Sequence, residues 1–273
     1  MKRATAGLIV SLVLLTPLPA HAAAPDPVQV LRAQVVPGRG VTVSMVTRMS
    51  ADGRHFGTVR TERVTGFRKG GSVETDESTT VHFPAAAELL GEDFPDFLFP
   101  TLLIRLKDAN YTSGGSLIPE LPLGKKWVRS RWFESSPMDS TVDLFEPGAL
   151  KALLATASST GPRSAKGTIY SSKIPGRPFG TPMTRGEKGE KVAWALRFDD
   201  RGRVTRLTTR VSRRTNDGYV LGLGSDLRFT GWGSRVTIEA PPEESVIEAE
   251  DLPQEPGLLV EEKEPVEASP QGR

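Results

Sequence analysis

Proton transfer, metal binding and nucleophilic attack each require particular side chains at particular spacings, and this chain supplies few of them. It has three histidines and no cysteine. Without cysteine there is no disulfide, thiolate metal site, cysteine nucleophile or thiol for lipid attachment. His21 falls in a leader segment, while His55 stands near Asp52 and His82 near Thr80. A zinc site needs three or four ligands, and a Ser-His-Asp triad needs a histidine oriented by a carboxylate. Neither histidine carries such a signature. There is no Gly-x-Ser-x-Gly elbow, and Gly222-Leu223-Gly224-Ser225 lacks the helix that a phosphate loop requires, so it reads as a turn. Glu92-Asp93 and Asp199-Asp200 are adjacent carboxylates in turns, and no pattern pairs carboxylates across distant strands as a glycosidase requires. The sequence therefore predicts no catalytic residue, no metal and no cofactor.

The remaining chemical feature is charge. Arg203, Arg206, Arg210, Arg213 and Arg214 crowd one short stretch. Basic strands with interleaved aromatics bind single-stranded nucleic acid, but the residues between these arginines are Thr, Leu and Val, so a nucleic-acid partner is excluded. From residue 243 onward ten acidic residues face only Lys263 and Arg273, although the whole chain carries a formal net charge of +2. The body is thus basic and the tail acidic. A basic body can meet anionic lipid headgroups or cell-wall polymer.

The elements that position these residues are mostly strands. Residues 191–242 read as an antiparallel meander of four strands. Val192, Trp194, Leu196 and Phe198 fall at every second position and share one face of a pleated strand. Asp199-Asp200-Arg201-Gly202 turns the chain, Thr205, Leu207, Thr209 and Val211 are expected to return on the buried side, and Asn216-Asp217-Gly218 turns it again. Leu227 and Phe229 alternate next, and the last strand, 236–240, is stopped by Pro241-Pro242. Earlier strands are expected at 41–45, 56–67, 72–83, 111–118, 126–133 and 167–172, with an apolar loop and strand at 94–106. Two amphipathic helices frame them. One starts at the Asp26-Pro27 cap and repeats Val28, Leu31 and Val35; the other spans 146–155 and presents Leu150, Leu153, Leu154 and Ala157 on one face. Helical turns are expected at 84–91 and a mobile loop at 175–188.

Met1-Lys2-Arg3, the apolar run 8–15 and Ala20-His21-Ala22 have the three parts of a secretory signal, with the cut before Ala23. The apolar run is about half the ~20 residues of a spanning helix. The reading is an exported chain with a leader at 1–22, one domain at 23–251 and a disordered acidic tail at 252–273.

Three segments carry a resemblance: Leu121-Pro122-Leu123-Gly124-Lys125-Lys126-Trp127-Val128-Arg129; Pro147 with Leu150, Leu153 and Leu154; and the series Phe198-Asp199-Asp200-Arg201-Gly202-Arg203, Tyr219, Phe229-x-x-Trp232-Gly233, Val236-x-Ile238 and Pro241-Pro242. In this order, over residues 28–251, they resemble the actinobacterial exported lipoproteins of the LppX/LprG type, within the LolA-like superfamily. The resemblance implies a mainly β fold: a single, strongly curved antiparallel sheet, the LolA-like half-barrel, with helices over its concave face and an apolar cavity for acyl chains. It also implies lipid carriage at the cell envelope without catalysis. The chain departs from that family in lacking a lipobox cysteine, so it is either a released carrier or one held by charge. The residues expected to line the cavity are Trp127, Trp194, Phe198, Leu207 and Phe229 from the sheet, with Leu150 and Leu154 from the covering helix. The alternative is an envelope sensor that binds a protein partner, as LolA-like regulators of anti-sigma factors do. The sequence does not fix the oligomeric state.

Overall fold

The computed structural model describes residues 25–69, 73–83, 100–115, 121–131, 142–146, 148–175, 189–214 and 218–252. The leader at 1–22, the helical turns expected at 84–91, the apolar run at 94–99, the loop at 176–188 and the tail from 253 lie outside those residues.

Period-2 alternation dominates the chain, and twelve strands form one curled sheet. They are β1 (Arg39–Ala51), β2 (Arg54–Phe67), β3 (Val73–His82), β4 (Thr101–Arg105), β5 (Asn110–Gly114), β6 (Trp127–Ser130), β7 (Ala157–Gly161), β8 (Ser164–Tyr170), β9 (Lys191–Phe198), β10 (Val204–Arg214), β11 (Val220–Arg235) and β12 (Val246–Glu248). Their spatial order is β12-β6-β5-β4-β3-β2-β1-β11-β10-β9-β8-β7. Every pairing is antiparallel except β12 on β6, which is parallel. Two helices, α1 (Pro27–Gln34) and α2 (Ala149–Ala155), pack on the concave inner face.

Each helix starts where its sequence signal lies. The Asp26 side chain accepts a hydrogen bond from Val28 N at 3.0 Å, and Pro27 opens the first turn of α1 without wasting a donor. In α2, Ala149, Leu150 and Leu153 are buried against the sheet. Thr156 ends α2 because its hydroxyl donates to the Leu153 carbonyl at 2.9 Å and competes with a further helical turn. Ala157, expected on the leucine face of this helix, is instead the first residue of β7.

The meander after residue 191 has three strands, not four. Gly222-Leu223-Gly224-Ser225 is no turn: it lies within the 16-residue β11, near its start, paired with β1 on one side and β10 on the other. Two neighbouring ladders hold those glycines extended, which overrides their local turn preference. Residues 236–240 form no strand either. Val236 N donates to Gly38 O at 3.3 Å, and the chain then crosses the outer face of the sheet as a strap. It passes over two glycines paired across β1 and β2. A Cβ on Gly40 would stand 2.6 Å from Val236 Cγ2, and one on Gly66 3.2 Å from Val236 Cγ1. Ile238 then packs with Ile104 and Tyr111, and the strap ends as β12 beside β6.

The first part of the acidic stretch is therefore docked. Arg129 donates through Nε to Glu248 Oε1 at 2.6 Å and through Nη1 to Glu243 Oε2 at 3.2 Å, while Lys125 Nζ donates to the Val246 carbonyl at 2.6 Å. The hydrogen bonds to Glu248 and Tyr111 hold the Arg129 guanidinium protonated beyond its ordinary range. Those from Arg129 hold the Glu248 carboxyl below its ordinary value, against the opposing effect of burial.

Candidate functional site

The inner face divides along β1. From β1 through β11, β10, β9 and β8 it carries Val41, Val43, Met45, Phe229, Leu227, Leu207, Leu196, Trp194, Val192, Ala165 and Ile169, all in one buried cluster with Leu150 and Leu153 of α2. Trp194 reaches the end of α2, where its Nε1 donates to Thr156 Oγ1 at 3.3 Å. Gly167 makes room for it: a Cβ there would meet Trp194 Cζ2 at 2.8 Å and the Thr156 carbonyl at 2.3 Å.

From β2 onward the same face turns polar. One row across the strands reads Val41, Thr65, Thr75, Arg105, Asn110 and Ser130, and the next reads Val43, Arg63, Glu77, Leu103, Thr112 and Val128. Glu77 is buried and accepts from Arg63 Nε at 2.5 Å and Thr79 Oγ1 at 3.2 Å; Thr79 and Thr61 join their hydroxyls at 3.1 Å. Thr65 and Thr75 lie directly opposite each other at 0% and 5% exposure. Among the described residues neither hydroxyl has a hydrogen-bond partner. A buried unsatisfied hydroxyl costs about 1–3 kcal/mol, so an acceptor reaching both hydroxyls would be stabilising.

An aromatic group marks the seam between the halves. Phe145 meets Phe67 edge-on at 5.6 Å, Phe229 at 6.3 Å and Trp232 at 6.2 Å, and Phe229 stacks on Trp232 at 5.9 Å. Trp232 Nε1 donates to the Val204 carbonyl at 2.7 Å, which fixes its indole.

Of the seven residues expected to line a cavity, Trp194, Leu207, Phe229 and Leu150 are buried together in the inner cluster, and Phe198 and Leu154 pack on its margin. Leu154 also lines a pocket of about 420 Å³ between α1 and α2, with Val28, Arg32 and Lys151. Trp127 is not with them. It lies on the outer face, in the second cluster with Ile104, Tyr111, Ile238 and Val246, because the register of β6 on β5 puts Val128 on the inner row and so turns Trp127 outward. Sequence reasoning missed Thr65, Thr75, Phe67 and Phe145. The alternation of Thr61, Arg63 and Thr65 in β2 was visible, but polar residues at every second position ordinarily mark the solvent side.

His55 is exposed and its Nε2 lies 2.9 Å from Thr58 Oγ1; His82, also exposed, pairs across the ladder with Thr58. Among the described residues no group of three or more His, Asp or Glu could hold a metal ion. No helix among them is long and apolar enough to cross a membrane.

No family model and no curated protein matches the chain. Among solved structures it is similar to LprF from Mycobacterium bovis, at 14% identity over 80% of this chain and 99% of that one, with a TM-score of 0.42. A LolA superfamily protein from Nitrosomonas europaea matches at 11% identity over 82% of this chain and 96% of that one, TM-score 0.28. A domain from Vibrio parahaemolyticus named for outer membrane lipoprotein sorting matches at 12% identity over 80% and 94%, TM-score 0.24.

Proposed function

We propose that residues 23–251 form an exported, non-catalytic carrier of an acyl lipid at the cell envelope, held between the concave face and its covering helices. The apolar half, with Trp194, Phe198, Leu207, Phe229, Leu150 and Leu154, takes the acyl chain. Thr65 and Thr75 take a polar linkage such as an ester carbonyl. The observation that carries this reading is the facing pair of buried hydroxyls, unpartnered among the described residues, beside an apolar wall, which matches an amphiphile better than pure hydrocarbon. A carbonyl accepting from both hydroxyls relieves two unsatisfied groups at once, at about 0.5–1.5 kcal/mol for each bond.

The test uses delipidated full-length protein titrated with a fluorescent acyl ester and with the matching fluorescent alkane. The ester is expected to bind about tenfold tighter than the alkane, and a Thr65→Val, Thr75→Val double variant is expected to lose that preference while still binding the alkane. Equal binding of ester and alkane to both proteins, or binding of neither probe, would refute the reading.

A further inference from the structure

The outer face of the five strands that carry the apolar core is built differently from the inner one. Three cross-strand rows define it. Arg48 of β1 is opposite Gly224 of β11, which is opposite Arg210 of β10 and then Ala193 of β9. The second row runs Val46, Asp226, Thr208, Ala195 and Lys166, and the third Ser44, Arg228, Arg206, Arg197 and Ser164. Like charges directly opposite on neighbouring strands repel, yet Arg228, Arg206 and Arg197 stand side by side.

These three rows hold six cations and a single carboxylate, Asp226. That carboxylate is already occupied. Arg206 forks it, donating through Nε to Oδ1 and through Nη2 to Oδ2, both at 2.7 Å. Glu62 of the neighbouring β2 is engaged by the Ser44 hydroxyl at 2.5 Å. The side chains of Arg48, Arg210, Arg197, Arg228 and Lys166 make no ion pair or hydrogen bond among the described residues.

The face is also hollow. A trough of about 860 Å³ runs over it, with Arg48, Arg210, Arg206 and Lys166 on its walls and Ser50, Thr208 and Ser212 supplying hydroxyls. Its floor is Gly222, Gly224, Ala193 and Ala195. Gly224 lies between the two arginines of the first row, whose strands stand about 10 Å apart. A Cβ there would meet nothing closer than the Thr209 carbonyl at 4.0 Å, so the space between the arginines is open down to the backbone.

One end of the trough is rimmed by the β1–β2 hairpin, with Gly53 and His55. The adjoining β10–β11 hairpin exposes Tyr219 by 57% and Leu221 by 42%. The two hairpins are fastened: Val220 N donates to Asp52 Oδ1, and Asp52 N to the Val220 carbonyl, each at 2.8 Å. Arg54, Arg213 and Arg214 flank this tip. Exposed tyrosine and leucine beside arginine are the residues that settle at a headgroup layer, with the ring among the headgroups and the cations on phosphate.

We propose that this trough is a docking site for the phosphate headgroups of an anionic phospholipid surface, with Arg48, Arg210 and Lys166 engaging phosphate and Tyr219 and Leu221 entering the headgroup layer. The proposal goes beyond the carrier reading and stands without it, because cargo sits on the inner face while Arg48, Arg210 and Lys166 stand on the outer one.

Sedimentation of the full chain with vesicles tests it. Vesicles of phosphatidylcholine alone are compared with vesicles containing phosphatidylglycerol, at low and high salt. A trough variant, Arg48→Gln, Arg210→Gln, Lys166→Gln, is set against an equal charge change at exposed positions elsewhere, Lys69→Gln, Lys107→Gln, Lys126→Gln. All six side chains are exposed, so both variants are expected to fold, which circular dichroism checks. Expected is binding to phosphatidylglycerol vesicles that salt weakens, falling about a hundredfold in the trough variant and several-fold at most in the control. Equal losses in the two variants would reduce the site to general basicity and overturn the proposal. So would unchanged binding in the trough variant, or binding of inorganic phosphate without binding to phosphatidylglycerol vesicles. Organic extraction of the same variants reads cargo separately, so failure of docking and failure of carriage are distinguishable.

Discussion

One half of this sheet is held from within and the other from outside. From β1 to β8 the stabilising apolar cluster lies on the inner face under α2, and the outer face is left to small and cationic residues. From β2 to β6 the inner face holds hydroxyls and an Arg63–Glu77 pair, and the apolar contacts have moved outside, where Ile238 and Val246 of the strap cover Ile104 and Tyr111. The difference teaches how a curled sheet can leave part of its concave surface for a ligand. A sheet half that fills no core of its own needs another source of cohesion, and the strap supplies it from the opposite side.

The largest expected effect sharpens that contrast. Leu153 is fully buried in the inner cluster, so Leu153→Ala is expected to lower unfolding stability by about 2–5 kcal/mol in urea titration. A loss below about 1 kcal/mol would mean that α2 is not what holds this half together. Next comes the strap. Gly40→Ala forces a methyl against Val236 and to within 2.2 Å of the Thr65 carbonyl, with an expected loss of about 1–3 kcal/mol and faster hydrogen exchange in residues 246–248. Stability and exchange both unchanged would separate the strap from the strands it crosses.

The third effect is smaller and opposite in sign. Thr65→Val, Thr75→Val removes two unsatisfied hydroxyls and is expected to stabilise the ligand-free protein by about 1 kcal/mol. A destabilised variant would show that those hydroxyls already serve the empty fold. The smallest effect follows pH. The hydrogen bonds from Arg129 hold Glu248 below the ordinary glutamate value, so the attachment of β12 is complete above that value and is lost as pH falls through the lower folded one. Glu243 shares the same arginine, and Arg131 adds a weaker attraction on Glu248. Exchange in residues 246–248 is therefore expected to quicken below about pH 4, and in Glu248→Gln to be quick already at neutral pH.

Much of the sheet was legible in the sequence because alternation fixes which side chains share a face. Trp194, Leu207 and Phe229 could be grouped from their positions alone, and Asp26-Pro27 marked the start of α1. The glycines were harder. Gly222 and Gly224 carry the local signal of a turn, and only the ladders on both sides of β11 hold them extended. Residues 236–240 alternate like a strand, yet their partners are glycines on a face rather than a free edge, a relation between positions about 170 residues or more apart in the chain that no local window contains. Trp127 was grouped with the wrong cluster for a similar reason: its face depends on the register of β6 against β5, and the strap that covers it comes from far along the chain. Thr65 and Thr75 were invisible as site residues because burial reversed the usual meaning of polar alternation.

The most direct test of the amphiphilic inner face is native mass spectrometry of the protein recovered from its native host, followed by organic extraction. The account predicts a discrete added mass that extracts as an ester-linked acyl lipid and is recovered in smaller amount from the Thr65→Val, Thr75→Val protein. A bare polypeptide mass, with no lipid in the extract, would contradict it.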